Sequence, residues 1–305
     1  MLESLISPMK TTESVTFGSV NSPMGDFLRP DGFVGPRGLR ALGREGSVAL
    51  EVARYVRWSR TARRTRGRAP YVDTRRAHGL EPVLLVPGFM AGDATLSGMA
   101  AMLRGAGYRT YRSEIHVNVG CTREAAERLE RRIESIAIRR GRKVSIVGHS
   151  LGGMLARGLA ARRPDLVHGI VSMGSPILAP GAVHGVLAWD ADILTRLARA
   201  GFGVMSEDCV GGSCARMSFE ETQRPLDPEV GFTAIYSRRD GIVDWKACID
   251  PGAEAVEVPT SHVGMAFDPL VFDVVRAALD GQQVTRASRA AAQSESVQLR
   301  PVANR

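Results

Sequence analysis

The stretch of the chain richest in chemical possibility is Val144-Ser145-Ile146-Val147-Gly148-His149-Ser150-Leu151-Gly152-Gly153. A β-branched run enters a G-x-S-x-G turn, and Met154-Leu155-Ala156-Arg157-Gly158-Leu159-Ala160 leaves it with helical character. A strand, this turn and a helix form a nucleophile elbow, which holds a serine in a strained conformation with its hydroxyl exposed. Side chains at Gly148 or Gly152 would collide with the neighbouring strand or helix, so the turn accepts only small residues there. The helix that starts after Ser150 aims its free N–H groups and positive dipole end at the hydroxyl.

A serine hydroxyl is a poor nucleophile at neutral pH and needs a base, which in turn needs an orienting acid. Behind an elbow of this kind the partners follow in the order serine, acid, histidine. Of the six histidines (His78, His116, His149, His168, His184 and His262), only His262 follows every candidate acid. It lies in Pro259-Thr260-Ser261-His262-Val263-Gly264-Met265, directly after the last predicted strand. His149, although next to the serine, is read as packing or hydrogen-bonding within the fold. The acid belongs just after the preceding strand. Asp240, beside Gly241, is favoured there, with Asp244 four residues on as the alternative; otherwise Asp244 caps a helix or pairs with an arginine. An oxyanion needs preorganised N–H donors, each lowering the barrier by a few kcal/mol. Leu151, after the nucleophile, supplies one, and Phe89, after Gly88 in the turn that ends the first core strand, supplies the other.

These groups must be positioned by a chain of 305 residues, long enough for one large α/β domain. The core begins at the buried-type run 82–86, which ends in Pro87-Gly88-Phe89-Met90-Ala91-Gly92-Asp93; Asp93 or Thr95 is expected to cap the helix that follows. A strand at 109–113, a helix at 122–140, the strand at 143–147 and another apolar run at 166–173 continue the alternation. From 177 to about 230 the rhythm breaks. One helix is suggested by Val186, Leu187, Trp189, Ile193, Leu194 and Leu197, and 205–228 reads as irregular; an insertion of this size over a catalytic face is expected to be a cap or lid. Strands return at 232–236 and 255–258, and a last helix runs from Asp268 through Leu279. Outside this domain (81–280), residues 1–80 are expected to be a flexible leader, loose to about residue 35, followed by an amphipathic helix at 46–64 with Val48, Val52, Tyr55 and Val56 on its stripe. Residues 281–305 are expected to be a mobile tail.

The net charge is +8 and almost all of the positive charge is arginine, since Lys10, Lys143 and Lys246 are the only lysines. Arg54, Arg57, Arg60, Arg63, Arg64, Arg66, Arg68, Arg75 and Arg76 crowd a segment with the single acid Asp73. A solvated face is the plainer meaning, peripheral contact with an anionic membrane surface is the second, and nucleic acid is disfavoured because no recognition motif accompanies the charge. No stretch reaches the ~18 apolar residues of a spanning helix. The first 30 residues lack a basic region followed by an apolar core, so cytoplasmic residence is the default expectation. Cys121, Cys209, Cys214 and Cys248 form no C-x-x-C and have no histidine at zinc-ligand spacing, so neither a metal nor another cofactor is expected. Cys209 and Cys214 bracket a flexible Val-Gly-Gly-Ser turn, and a small disulfide loop and free thiols both stay open.

With Pro87-Gly88-Phe89, Gly148-His149-Ser150-Leu151-Gly152-Gly153, Met173-Gly174-Ser175-Pro176, Ser237 to Val243 and Ser261-His262 in this order, residues 82–280 resemble the α/β-hydrolase superfamily, and within it bacterial esterases and lipases of the triacylglycerol-lipase type. The arginine-rich composition is similar to that of actinobacterial hydrolases. The resemblance implies a mostly parallel central sheet flanked by helices with a helical cap, and a serine hydrolase acting on small-molecule carboxylic esters or lipids. An acyltransferase using the same residues, or a non-catalytic binding protein on the same fold, are the alternatives. Phe89, Met90, Leu178 and Trp189 are candidates for an acyl pocket or, equally, for core. Many bacterial lipases have His-Gly where this chain has Pro87-Gly88, so support for the oxyanion loop must differ.

Overall fold

In the computed structural model, which describes residues 24–65 and 81–298, six strands form one parallel sheet. They are β1 (Pro82–Val86), β2 (Arg109–Arg112), β3 (Val144–His149), β4 (Val167–Met173), β5 (Gly231–Tyr236) and β6 (Glu254–Glu257), in the spatial order β2-β1-β3-β4-β5-β6. Strands β1, β3 and β4 are buried along their whole length, which is why they read as continuous apolar runs rather than alternating ones. The chain order reverses between β1 and β3, which pair with Val86 opposite Gly148. Ligands of open α/β sheets bind in the crevice at the carboxyl ends of strands at such a reversal. Pro87–Phe89 leave β1 there and Ser150 leaves β3.

Both faces of the sheet are covered. On one, Leu129, Ile133 and Ile136 of α4 (Thr122–Arg140) and Leu155 and Leu159 of α5 (Leu151–Arg162) pack on Leu84, Ile146 and Ile170. On the other, Met99 and Leu103 of α3 (Ser97–Gly105) and Phe272 and Val275 of α9 (Pro269–Gln298) pack on Val83, Val147 and Val171. Full burial of side chains of this size contributes roughly 1.5–3 kcal/mol each. Two further helices precede the sheet, α1 (Gly38–Arg44) and α2 (Val48–Thr65).

Several expectations change. The stripe of α2 is rotated: Val52 is exposed, and the buried face carries Glu51, with Tyr55 and Trp58 packed on Phe272 (ring centroids 6.4 and 5.2 Å). Aromatic area and a satisfied carboxylate decide the docking, and the β-branched residues do not. Asp93 caps no helix; its carboxylate accepts from the backbone and hydroxyl of Ser113 and the backbone of Glu114. Thr95 hydrogen-bonds back to Gly92 O. The stretch 205–228 holds two helices, α7 (Glu207–Val210) and α8 (Ser213–Gln223), after α6 (Gly185–Arg199). The polar residues after 281, expected as a mobile tail, continue α9 to Gln298. Ala, Gln and Arg are good helix formers, and Gln282 Nε2 anchors the extension by donating to Ile170 O (3.1 Å) and Thr233 Oγ1 (3.2 Å). The expected leader is docked from Met24 onward: Leu28 is buried and its carbonyl accepts from Gly181 N–H (2.6 Å). Its residues 1–23, the tail residues 299–305, and Arg66, Arg68, Asp73, Arg75 and Arg76 of the arginine-rich segment lie outside the described residues. No described helix is long and apolar enough to cross a membrane.

Candidate active site

Ser150 sits between β3 and α5 with φ 52° and ψ −120°, in the left-handed half of backbone space that costs a non-glycine residue on the order of 1–3 kcal/mol. Close packing imposes this conformation. A Cβ on Gly148 would lie 2.5 Å from the Gly152 carbonyl, and one on Gly152 would lie 2.2 Å from Val86 O. The Ser150 N–H donates to Met173 O (2.8 Å), which ties the turn to the end of β4. Ser150 is 7% exposed.

The structure brings Asp240 and His262 together. His262 Nδ1 donates to Asp240 Oδ2 at 2.7 Å, and both residues are buried. The other oxygen, Asp240 Oδ1, accepts from Ile242 N–H (2.8 Å) and Val243 N–H (2.7 Å), so the carboxylate is fixed by its own loop. Asp244 is not brought to the histidine. It caps the 3-10 turn Trp245–Cys248 through Lys246 N–H (3.1 Å) and accepts from Val34 N–H (3.0 Å). His262 adjoins the elbow through two neighbours. A Cβ on Gly174, the residue after Met173, would lie 3.1 Å from His262 Nδ1. The His149 ring lies 5.0 Å from the His262 ring, and its Nε2 donates to the His262 carbonyl at 3.0 Å. Burial disfavours the charged form of His262, but the charge and hydrogen bond of Asp240 outweigh it, with Glu45 adding, and its pKa is raised. For His149, burial followed by the charge of His262 lowers the pKa to about 3, which keeps this ring neutral.

Two carboxylates that sequence reasoning missed hold the histidine loop. Glu45, in the 3-10 turn Glu45–Ser47, accepts from Gly241 N–H (2.9 Å) and His262 N–H (3.0 Å) through Oε1, and from Val263 N–H (3.2 Å) through Oε2. Glu51 is fully buried; it accepts from Ser261 N–H (2.8 Å) and Ser261 Oγ (2.5 Å). The Ser261 hydroxyl in turn accepts from Gly264 N–H (3.0 Å). The only local signal was that Glu51 is the single acid in an arginine-rich helix.

Phe89 and Leu151 lie on either side of the reversal point. Neither backbone N–H has an acceptor among the described residues, as an oxyanion-binding pair requires. Asn118 braces the Phe89 loop: its Nδ2 donates to Pro87 O (3.0 Å) and its carbonyl accepts from Met90 N–H (3.0 Å). Above Ser150 lies a cavity of about 160 Å³. Its wall is mostly apolar, with Phe89 after β1, Met154 from α5, Leu187 from α6, Phe219 from α8, and Met24 and Leu28 from the segment before α1. Of the four candidate pocket residues only Phe89 lines it; Met90 and Trp189 are largely exposed, and Leu178 lies elsewhere.

Residues 100–205 match the sequence pattern of the alpha/beta hydrolase fold family. A triacylglycerol lipase of Vibrio cholerae is 31% identical over 134 residues, which is 42% of this chain and 41% of that protein, so the match spans about two-fifths of the relative's length. The mature form of Bacillus licheniformis lipase BlEst2 superposes with a TM-score of 0.53 at 15% identity, over 66% of this chain and 92% of that one. Its propeptide form gives 0.53 at 17% identity, over 66% and 50%.

Proposed function

We propose that this protein, an α/β hydrolase by fold with lipases and esterases among the proteins it resembles, is a serine hydrolase that cleaves carboxylic esters through an acyl-enzyme on Ser150. The observation that carries this reading is the buried His262–Asp240 pair beside a strained serine that opens into an apolar cavity.

In this mechanism the Ser150 Oγ attacks the acyl carbon while His262 Nε2 takes its proton. Asp240 holds Nδ1 protonated, so Nε2 is the free base, and stabilises the imidazolium. The Phe89 and Leu151 N–H groups receive the oxyanion. The intermediate collapses with expulsion of the alcohol, protonated by His262. Water, deprotonated by the same imidazole, then attacks the acyl-enzyme and releases the acid and free Ser150. The apolar wall suits an acyl chain, because a hydrocarbon there loses no hydrogen bond with water.

Hydrolysis of p-nitrophenyl esters of graded acyl length by wild type and Ser150→Ala tests the reading. Turnover by the wild type, lowered at least about 10³-fold by the substitution, supports it. Ester turnover that survives in Ser150→Ala overturns Ser150 as the nucleophile, and no turnover of any ester together with no labelling of Ser150 by a fluorophosphonate overturns the reading in favour of a binding role. The burial of Ser150 favours a second reading, transfer of the acyl group to an alcohol in place of water. Ester product formed in preference to free acid when an alcohol is added distinguishes it.

A further inference from the structure

Cys121 is far in sequence from Cys209 and Cys214, and the three converge at the edge of the cavity. Cys121 directly precedes α4, Cys209 lies in α7 and Cys214 in the first turn of α8. All four cysteines of the chain are free thiols. The sulfurs of these three lie within 4.8 Å of one another, with Cys121 and Cys214 at 3.4 Å. Cys248 is buried elsewhere, against Asp244 O. Chain spacing concealed the cluster, because its third member comes from a different layer of the fold.

The local framework presents the two cap thiols together. Asp208 Oδ1 accepts from Ser213 N–H (2.6 Å), Ser213 Oγ (3.0 Å) and Cys214 N–H (3.3 Å), closing the Val-Gly-Gly-Ser turn over itself. Ser206 Oγ donates to Cys209 Sγ at 3.4 Å. A Zn–S bond is about 2.3 Å, so three thiolates on one tetrahedral ion stand about 3.8 Å apart. The Cys121–Cys214 separation of 3.4 Å and the limit of 4.8 Å on all three pairs are reconciled with that value by small side-chain rotations. Cys214 is buried while Cys121 and Cys209 are partly open, so an ion can reach the site.

We propose that Cys121, Cys209 and Cys214 form a site for one thiophilic closed-shell metal ion, Zn(II) or Cu(I), that ties the cap to the body of the protein. Each thiol loses its proton to solvent as its sulfur binds, so occupancy releases up to three protons per ion. Three thiolates satisfy Cu(I) as a trigonal site and leave Zn(II) one position for water. The ion does not take part in the chemistry at Ser150. Cys209 and Thr122, which follows Cys121, both line the cavity, so an occupied site fixes the wall of that cavity where α7 meets α4.

The test uses anaerobically reduced full-length protein titrated with Cd(II) as a spectroscopic stand-in, and separately with Zn(II) and with Cu(I). One equivalent of Cd(II) should produce a thiolate-to-metal charge-transfer band. Three of the four thiols should become protected from alkylation, counted by mass spectrometry on the wild type. Cys209→Ser should weaken the band, while Cys248→Ser should leave it unchanged. Zn(II) and Cu(I), each titrated into metal-free protein, should protect the same three thiols and raise Tm with metal concentration; which of the two binds tighter identifies the preferred ion. No saturable binding by the reduced wild type, or protection of fewer than three thiols, overturns the proposal. A Cys121–Cys214 disulfide in protein that binds no metal after reduction overturns it too, in favour of a redox pair. None of these readouts depends on ester hydrolysis.

Discussion

Ser150 is held by backbone crowding among its sequence neighbours, whereas His262 is held by carboxylates that arrive from the other end of the chain. The elbow is assembled from Gly148, Gly152 and the close approach of Val86 O, all within one β3–α5 unit and the adjoining strand. The histidine loop owes its shape to Glu51, 210 residues from Ser261, and to Glu45, 217 residues from His262. A nucleophile that must sit in a strained conformation needs a rigid, local device. Under the proposed mechanism the base reaches across to it from the last strand on a loop, and a loop has unpaired N–H groups that something must satisfy. In this chain the N-terminal segment does so, placing acids where basic or apolar residues surround them.

The comparison is tested most strongly at the acid. Asp240→Asn should lower kcat on the order of 10⁴-fold, because the amide no longer enforces the correct His262 tautomer or stabilises the imidazolium. Asp244→Asn should leave kcat close to wild type and cost about 1–3 kcal/mol, because its single amide oxygen cannot accept from both Lys246 N–H and Val34 N–H, read by ester kinetics and thermal unfolding on the same preparations. A reversal of the two effects would transfer the role to Asp244 and detach the histidine loop from the acid loop.

The elbow side of the comparison is tested by glycine substitutions in one helix. Gly152→Ala places a methyl 2.2 Å from Val86 O and 2.7 Å from Pro87 O, where backbone must move. A loss of about 1–3 kcal/mol or more is expected, together with loss of activity. Gly158→Ala, two turns on, meets nothing closer than 3.6 Å and should be neutral or stabilising by up to about 1 kcal/mol. Equal Tm values for the two variants would show that the elbow is not held by crowding.

That asymmetry also explains what could be read in the sequence. The parallel sheet, the G-x-S-x-G turn and the order Ser150, Asp240, His262 rest on local patterns, since period, glycine spacing and strand ends all appear within a few residues of one another. Asn118, Glu45 and Glu51 act through backbone groups far away in sequence, and a backbone donor leaves no mark on residue type. The exposed Val52 and the buried Glu51 of α2 reverse the hydrophobic pattern because the helix docks on the N–H groups of Ser261 as well as on Phe272. The extension of α9 escaped notice because Ala- and Gln-rich polar sequence reads equally as a tail until Gln282 finds its partners on β4 and β5.

The carboxylate side should respond in a graded way. Glu51→Gln puts an amide N–H₂ group against donors that need an acceptor and should cost about 1–3 kcal/mol of stability. Glu45→Gln, on a partly exposed residue, should lower kcat about tenfold through misplacement of His262 while KM changes little. A change confined to KM would assign Glu45 to substrate binding instead. The structural and positioning effects separate in the pH profile, because the charge of Glu45 is one of the influences raising the His262 pKa. The acid limb of kcat/KM should therefore shift down in Glu45→Gln and stay in place in Glu51→Gln.

The comparison also extends to the pH dependence of stability, where His149 and His262 act in opposite directions although their rings are 5.0 Å apart. The raised pKa of His262 makes the folded state bind its proton more tightly than the unfolded chain. This contribution is fully present below the ordinary value of about 6.5 and is lost as pH rises through the folded-state pKa. His149, lowered to about 3 by burial and then by the charge of His262, does the reverse. Between about 6.5 and 3 the unfolded chain takes up a proton that the native ring refuses, so acid destabilises the fold by up to about 1.4 kcal/mol per pH unit. His149→Gln, which retains a donor for the His262 carbonyl, should remove that slope in urea unfolding between pH 6 and 4 relative to wild type. An unchanged slope would mean that His149 charges in the native state, and the wall between the elbow and the histidine loop would then be wet rather than packed.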